Sequence, residues 1–353
     1  MRPLTDKEPD HTFAGQNGVM WMNPYFLSLK PIWDRAHYCA INEDKIQEVA
    51  SQFISEELLK VPDWREAVFP QEDDGEFVDF LGVVNALNFC FIDRTSGEKF
   101  DAEYPRGSST IWRGSFGMIA CLKRALEDGV LLLKPEFLAH IENDTVQKIF
   151  EPVHTPMPLL EERTIHIRNV GRRLLENGYD GFFELFEESD FCLFNNGIGI
   201  VEKMVRIFES YRDEVIWRGR HHLIFAKRAL LLPMMYYGRA LTSNGKLTRI
   251  KDPEHFSPVL DYVVSNALRR LGILQYNKAL AHKIARREEL SYGSDEEVEI
   301  RGMSALAICK LLEEMNKKSP EKRFLLPEVD SYLWKYGRQK DDFLHHHTYA
   351  TAY

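Results

Sequence analysis

Four stretches of the sequence bring together residue types that could do chemistry. In "FSPVLDYVVSNALRRLG" (256–272) one carboxylate, Asp261, stands in an otherwise apolar run, with Val264, Ala267 and Leu268 at i+3, i+6 and i+7. A carboxylate on or near a buried face must be paired, hydrogen-bonded or held neutral, because an isolated buried charge is costly. Asp261 is therefore either the structural partner of a nearby cation or a group kept ready for acid, base or charge-stabilising work. The stretch "WRGRHHLIFAKRA" (217–229) gathers Arg218, Arg220, His221, His222, Lys227 and Arg228. Adjacent histidines do not share a helix face as the i, i+4 ligands of zinc do, which argues against a metal site there. If a helix spans 222–237, Lys227 has Leu230, Leu231 and Met234 at i+3, i+4 and i+7 and borders an apolar stripe. It is then either a snorkelling rim residue or a desolvated lysine that faces a cleft and holds a phosphate or a carboxylate.

The third stretch, "REELSYGSDEEVEIRG" (287–302), runs into an apolar helical segment, with Ser294 as a candidate N-cap and Asp295, Glu296, Glu297 and Glu299 before or within the first turn. Acids at a helix start are accounted for by the helix dipole. The interleaved Val298, Ile300 and Arg301 are not, and an extended segment would put Glu297, Glu299 and Arg301 along one edge. The fourth, "NNGIGIVEK" (195–203), resembles a glycine-rich loop opening a helix, but it lacks the third glycine of a dinucleotide fingerprint and follows no strand.

The elements that must position these groups are mostly helical. Residues 43–60 place Ile46, Val49, Phe53, Ile54 and Leu58 along one stripe, acids first and Lys60 last. The same periodicity predicts helices near 77–90, 113–128, 158–177, 198–211, 222–237, 256–270, 275–286, 299–316 and 328–338. The clearest β signal is a small hairpin near 88–104, where two aromatic-bearing runs flank Thr-Ser-Gly. The fold class predicted is mainly α: a flexible tail over 1–20, then one helical domain over 21–353 in one or two lobes, with no linker or internal repeat.

Composition narrows the function. A formal net charge of -9 argues against a surface that tracks a nucleic-acid backbone, while leaving room for a small anionic ligand held by local cations. Five widely spaced cysteines without C-x-x-C indicate neither a disulfide framework nor a zinc site, and hence a reducing compartment. No apolar signal region and no apolar run near 18 residues is present, so a soluble cytoplasmic or nuclear protein is expected, with the Asn143 sequon unused.

Taken together, "LSYGSDEEVEIRG", "DSYLWKYGR" (330–338), "ALNFCF" (86–91), "IACLKRALEDG" (119–129) and "MPLLEER" (157–163) resemble the queuosine salvage family, in the family's order from about residue 40 to the C-terminus. The resemblance implies a mostly helical fold similar to helical DNA glycosylases, no metal or organic cofactor, and an N-glycosylase that releases queuine from queuosine 5′-monophosphate for tRNA modification. It also marks the acid of Asp261-Tyr262 and the lysine of Lys227-Arg228-Ala229 as catalytic. A carboxylate beneath the anomeric carbon suits the oxocarbenium-like transition state of glycosidic cleavage, as base toward water or as nucleophile. Lys227 would hold the 5′-phosphate or orient Asp261. The planar base would be held by Asn88, Phe89, Trp112, Phe116, Tyr262 and Trp334, with Glu297 and Glu299 accepting its ring N–H and amino group and Arg301 bracing them. The chain departs from the family pattern at Val263, Ser265, His347 and Tyr349. The partner implied is a small nucleotide, with neither stable nucleic-acid binding nor a membrane. A helical glycosylase acting on nucleic acid and a non-catalytic queuine-binding protein are the competing readings.

Overall fold

The computed structural model describes residues 23–55, 59–339 and 344–353. The predicted tail lies outside them, as does part of the predicted end of the 43–60 helix. The chain is mainly α, and its buried apolar side chains, from Phe26 to Leu333, form one contiguous cluster. At the centre lies the longest helix, Asp295–Lys318, which packs against Glu43–Ser55, Lys30–Trp33, Tyr262–Arg270 and Leu326–Gly337. It begins where its cap dictates: the Ser294 hydroxyl accepts the Glu297 N–H at 3.3 Å, and Asp295, Glu296 and Glu297 fill the first turn.

Two helix pairs set the geometry of the site. Tyr262–Arg270 lies on Leu326–Gly337, an approach that Gly337 permits, since a Cβ there would come 2.3 Å from the Val263 carbonyl oxygen. The helix Lys227–Thr242 packs on Gly75–Ala86, and its Gly238 lets the Pro62 carbonyl reach the helix backbone, where a Cβ would sit 1.9 Å away.

Among the described residues strands are few, and they pair as three antiparallel couples: Cys39–Ile41 with Leu274–Tyr276, Asp101–Glu103 with Ile111–Arg113, and Glu214–Trp217 with His221–Ile224. The hairpin predicted near 88–104 is present in a shorter form. Ile92 bridges Lys99 around a turn in which the Asp93 carboxylate accepts the N–H groups of Thr95 and Ser96, while 101–103 pair onward with 111–113.

Three predicted boundaries need correcting. Residues 221–224 are a strand, because Arg218 and Gly219 turn the chain at φ 49 and 69 and fold it back on 214–217, so the helix begins at Lys227. Residues 256–261 are not helical. Pro258 disfavours helix in the residue before it, and the helix starts at Tyr262 with Asp261 as its N-cap. Residues 295–301 are helical rather than extended, so Glu297, Glu299 and Arg301 fan around the helix instead of sharing an edge. No described helix is long and apolar enough to cross a membrane.

Candidate active site

Asp261 owes its setting to its place at a helix start. Its Oδ1 accepts the backbone N–H groups of Val263 at 2.8 Å and Val264 at 3.0 Å, which fixes the carboxylate plane. Its Oδ2 has no hydrogen bond among the described residues, and the half-buried side chain lines a cavity. Lys227 opens the neighbouring helix after Ala226, which turns at φ 49, and donates its N–H to the Asp213 carboxylate at 3.2 Å. Only 3% of the residue is exposed, and its Nζ reaches the Asn88 carbonyl at 3.4 Å. Burial pushes its ammonium down to about 8, with Asp261 the largest influence opposing that fall.

A third ionisable group completes the floor of the cavity. Asp330 is 4% exposed and accepts the Val259 N–H at 2.9 Å, two residues before Asp261. Burial raises its carboxyl to about 8, Asp261 pushes the same way, and the Val259 N–H and Lys227 pull against them. The reading of the sequence missed Asp330, although the argument that found Asp261 applies to it unchanged: an acid flanked by Val329 and Leu333 on the buried face of a helix.

The cavity is open to solvent on one side, with a volume of about 110 Å³. Phe116 and Trp334 form part of its wall, 6.3 Å apart and 25° from parallel, with Trp64 6.0 Å from Trp334. Tyr262 and the C-terminal Tyr353 also line it. Flat apolar faces close to a carboxylate, a lysine and an acid suit a planar polar ring carried on a sugar.

Of the residues singled out in the sequence, Asp261, Lys227, Asn88, Phe116, Tyr262 and Trp334 converge on this cavity. Phe89, Trp112, Glu297, Glu299 and Arg301 do not line it. Phe89 is fully buried beneath the Arg163 guanidinium, 4.2 Å above its ring. Trp112 stands behind Phe116, stacked at 5.8 Å, with Nε1 donating to the Tyr104 carbonyl at 2.9 Å. Glu299 accepts the N–H groups of His37 at 2.7 Å and Tyr38 at 2.6 Å, and Glu297 accepts that of Gly293 at 3.0 Å.

Arg301 instead ties the site together from behind. Its guanidinium pairs with both Asp213 oxygens, reaches Glu297 at 3.4 Å, donates to the Leu260 carbonyl at 3.3 Å, and lies 4.2 Å from the Tyr353 ring centre. Burial works against its charge, but Asp213 and Glu297 outweigh that and hold the guanidinium well above its ordinary value. The same Asp213 holds the Lys227 N–H, and Leu260 adjoins Asp261, so one buried cation links the backbones that carry both groups. Among the described residues no group of three or more His, Cys, Asp or Glu side chains is placed to hold a metal ion.

The sequence profile of the queuosine salvage protein family matches residues 68–353. The chain belongs to the queuosine salvage protein family. It is 30% identical over 308 residues to the queuosine 5′-phosphate N-glycosylase/hydrolase of Sphaerobacter thermophilus, an alignment covering 87% of this chain and 90% of that protein. To the protein of the same name from Bos taurus it is 27% identical over 343 residues, 92% of this chain and 97% of the relative. To that of Schizosaccharomyces pombe it is 24% identical over 281 residues, 76% and 77%. The family match runs through Asn88, Lys227, Asp261 and Asp330, so the floor of the cavity lies wholly within the part of the chain that defines membership of the queuosine salvage family.

Proposed function

We propose that this chain hydrolyses the N-glycosidic bond of queuosine 5′-phosphate and releases the base queuine. The observation that carries this is Asp261: one carboxylate oxygen pinned by two backbone N–H groups and the other without a hydrogen bond, facing a cavity beside a buried lysine. In the reaction the C1′–N bond breaks with its electron pair going to the base. The hydroxyl of water joins C1′, and a proton ends on the base. Positive charge grows on the ribose as the bond stretches, and the Asp261 carboxylate beneath C1′ opposes it, acting on water or on C1′ itself.

The leaving 7-deazaguanine has no ring nitrogen at position 7 to take a proton, so another atom of the base must be served. Asp330, with its carboxyl pushed up to about 8, holds a proton at neutral pH and lies in the same cavity, which suits it to donate to the departing base. Lys227 keeps its ammonium near Asp261 and orients that carboxylate. Phe116 and Trp334 offer the base an aromatic wall. All five cysteines are free thiols, which supports a cytoplasmic or nuclear setting.

The test is product analysis by chromatography and mass after incubation with queuosine 5′-phosphate, queuosine and guanosine 5′-phosphate, with Asp261→Asn alongside. Queuine from the first, little from the third and none from the variant is the expected pattern. Binding of the nucleotide with no release of base would replace catalysis by sequestration.

A further inference from the structure

Two stretches that marked the sequence, 86–91 and 157–163, meet behind the cavity. Beyond the helix Gly75–Ala86 the chain crosses to the cavity wall without regular structure, and the carbonyls it turns inward are met by buried cations. Arg228 donates to the Ala86 carbonyl, Lys227 to that of Asn88 at 3.4 Å, and Arg163 to those of Phe89 and Cys90, the latter at 3.0 Å. Arg163 comes from the helix Leu160–Asn177 and is itself tied down by donating to the Pro158 carbonyl at 2.7 Å. Both guanidiniums lie against the Phe89 ring, 4.2 and 5.1 Å from its centre, and His166 meets the same ring edge-on at 5.3 Å. Neither arginine lines the cavity, whereas Asn88 and Cys90 do.

This arrangement is costly. Arg163 and Arg228 are fully buried, among the described residues neither has an ion pair, and the Nε of each has no hydrogen-bond partner. Burial pushes both guanidiniums down, and Arg228 adds to the fall at Arg163. His166 offers no relief, because burial and then the two arginines hold it neutral, at about 3. Arg228 also stands with Lys227 in the first turn of the helix Lys227–Thr242, which has no acid there, where the helix dipole favours negative charge. A carboxylate would lower each of these costs, but it would also draw the guanidinium off its carbonyls. What the cations hold is therefore the backbone. With Ala86, Phe89 and Cys90 fixed from behind, the Asn88 carbonyl stays where the Lys227 ammonium can rest on it. Resting on the hydrolase reading above, we propose that Arg163 and Arg228 are positioning residues for the reaction: they clamp residues 86–90 by their carbonyls, fix the Asn88 seat of the Lys227 ammonium, and so set its place beside Asp261. Arg228 has a second part, as the like charge next to that ammonium. It acts there with Arg301, against Asp261 and Asp213, on an ammonium that Asp330 also faces.

The test is made on the full chain carrying Arg163→Lys or Arg228→Met. Arg124→Lys is the structural counterpart, since Arg124 also holds two carbonyls, of Glu103 and Ile149, and does not line the cavity. Urea unfolding establishes that each variant is folded under assay conditions. The first readout is the titration of the Lys227 ammonium, by NMR of protein carrying isotope-labelled lysine, its signal identified as the one lost in Lys227→Met. Against the native protein, the signal should titrate about half a pH unit or more higher in Arg228→Met, where the like charge is gone, and in Arg163→Lys, where the slackened seat lets water reach the ammonium. The second readout is turnover of queuosine 5′-phosphate. Arg163→Lys keeps the charge but not the fork, so kcat should fall about tenfold or more while KM stays within about threefold. Arg124→Lys should lower the urea midpoint and move neither readout. An unmoved Lys227 titration in either variant, a native kcat in Arg163→Lys, or changes in Arg124→Lys as large as theirs would overturn the assignment. Because the titration needs no substrate, a native protein that releases no base would end the hydrolase reading while the Lys227 signal still decides the clamp.

Discussion

Replacing Lys227 by methionine removes a charge that the folded protein holds at a cost, so the variant should be inactive and yet more stable. The ammonium lies at about 8 in the folded chain against an ordinary value of 10.5, chiefly through burial. That gap corresponds to roughly 3 kcal/mol. At pH 7 both folded and unfolded chains hold the proton, and the whole cost is present. Between about 8 and 10.5 the unfolded chain binds the proton more tightly than the folded one, so stability rises with pH and the cost fades. Methionine is unbranched, of similar length and uncharged, and it fills the same channel. Against it stands the loss of one long hydrogen bond, Nζ to the Asn88 carbonyl at 3.4 Å, worth about 1 kcal/mol.

The net expectation is a gain of about 2 kcal/mol at pH 7. Spread over the unfolding entropy of 353 residues, that raises the melting temperature by about 3 °C. By pH 10 the remaining cost is under about 1 kcal/mol and the advantage should vanish. Urea unfolding of both proteins at pH 7 and 10 measures the difference directly, since all other groups titrate in both. A methionine variant less stable than the native protein at pH 7, or an advantage equal at both pH values, would refute the reasoning. The first result would make Lys227 a structural ion-pair partner; the second would place its charge in water.

Other outcomes follow from the geometry. Asp261→Asn keeps an acceptor for the Val263 and Val264 N–H groups, so the unfolding curve should be nearly unchanged while single-turnover cleavage falls at least about a hundredfold. The native pH–rate profile should fall above about 8, where Asp330 and Lys227 both lose a proton, and Asp330→Asn should lower the plateau about a hundredfold because an amide has no proton to give. Arg301→Met leaves Asp213 charged and unpaired in the core and should cost about 3–5 kcal/mol in chemical denaturation. Gly238→Ala sets a methyl 1.9 Å from the Pro62 carbonyl oxygen, and should cost about 1–3 kcal/mol and weaken substrate binding through displaced Val61 and Pro62.

The helices were legible because their apolar positions repeat at the helical period, and Asp261 and Lys227 stood out because each is charged within an apolar run. What was not legible follows from two physical facts. Capping is decided by local backbone geometry: the periodicity treats Asp261 as a helix-face residue, whereas the helix starts at Tyr262 and the carboxylate is its cap, with one oxygen free. Partnership across the core leaves no local trace. Glu299 has its ligands at His37 and Tyr38, more than 250 positions away, so a stretch dense in acids and guanidinium groups looked like a base-reading edge.

The buried charges of this protein divide by what they are free to do. Arg301 and Asp213 satisfy each other, and with Glu297, Leu260 and Tyr353 they leave no direction in which the network can relax without losing a bond. Lys227, Asp261 and Asp330 sit one step inward and are each left incompletely satisfied, by a long bond, a free oxygen and a displaced proton. A rigid pair can hold unsatisfied groups in place because breaking it costs more than their strain could recover. Catalysis of glycosidic cleavage needs that arrangement: charge that is already in position and not already spent on the protein itself, so that it meets the oxocarbenium ion as it forms rather than reorganising around it. Loosening Arg301 by Arg301→Lys should therefore lower kcat more than it raises KM, even at temperatures where the fold is intact.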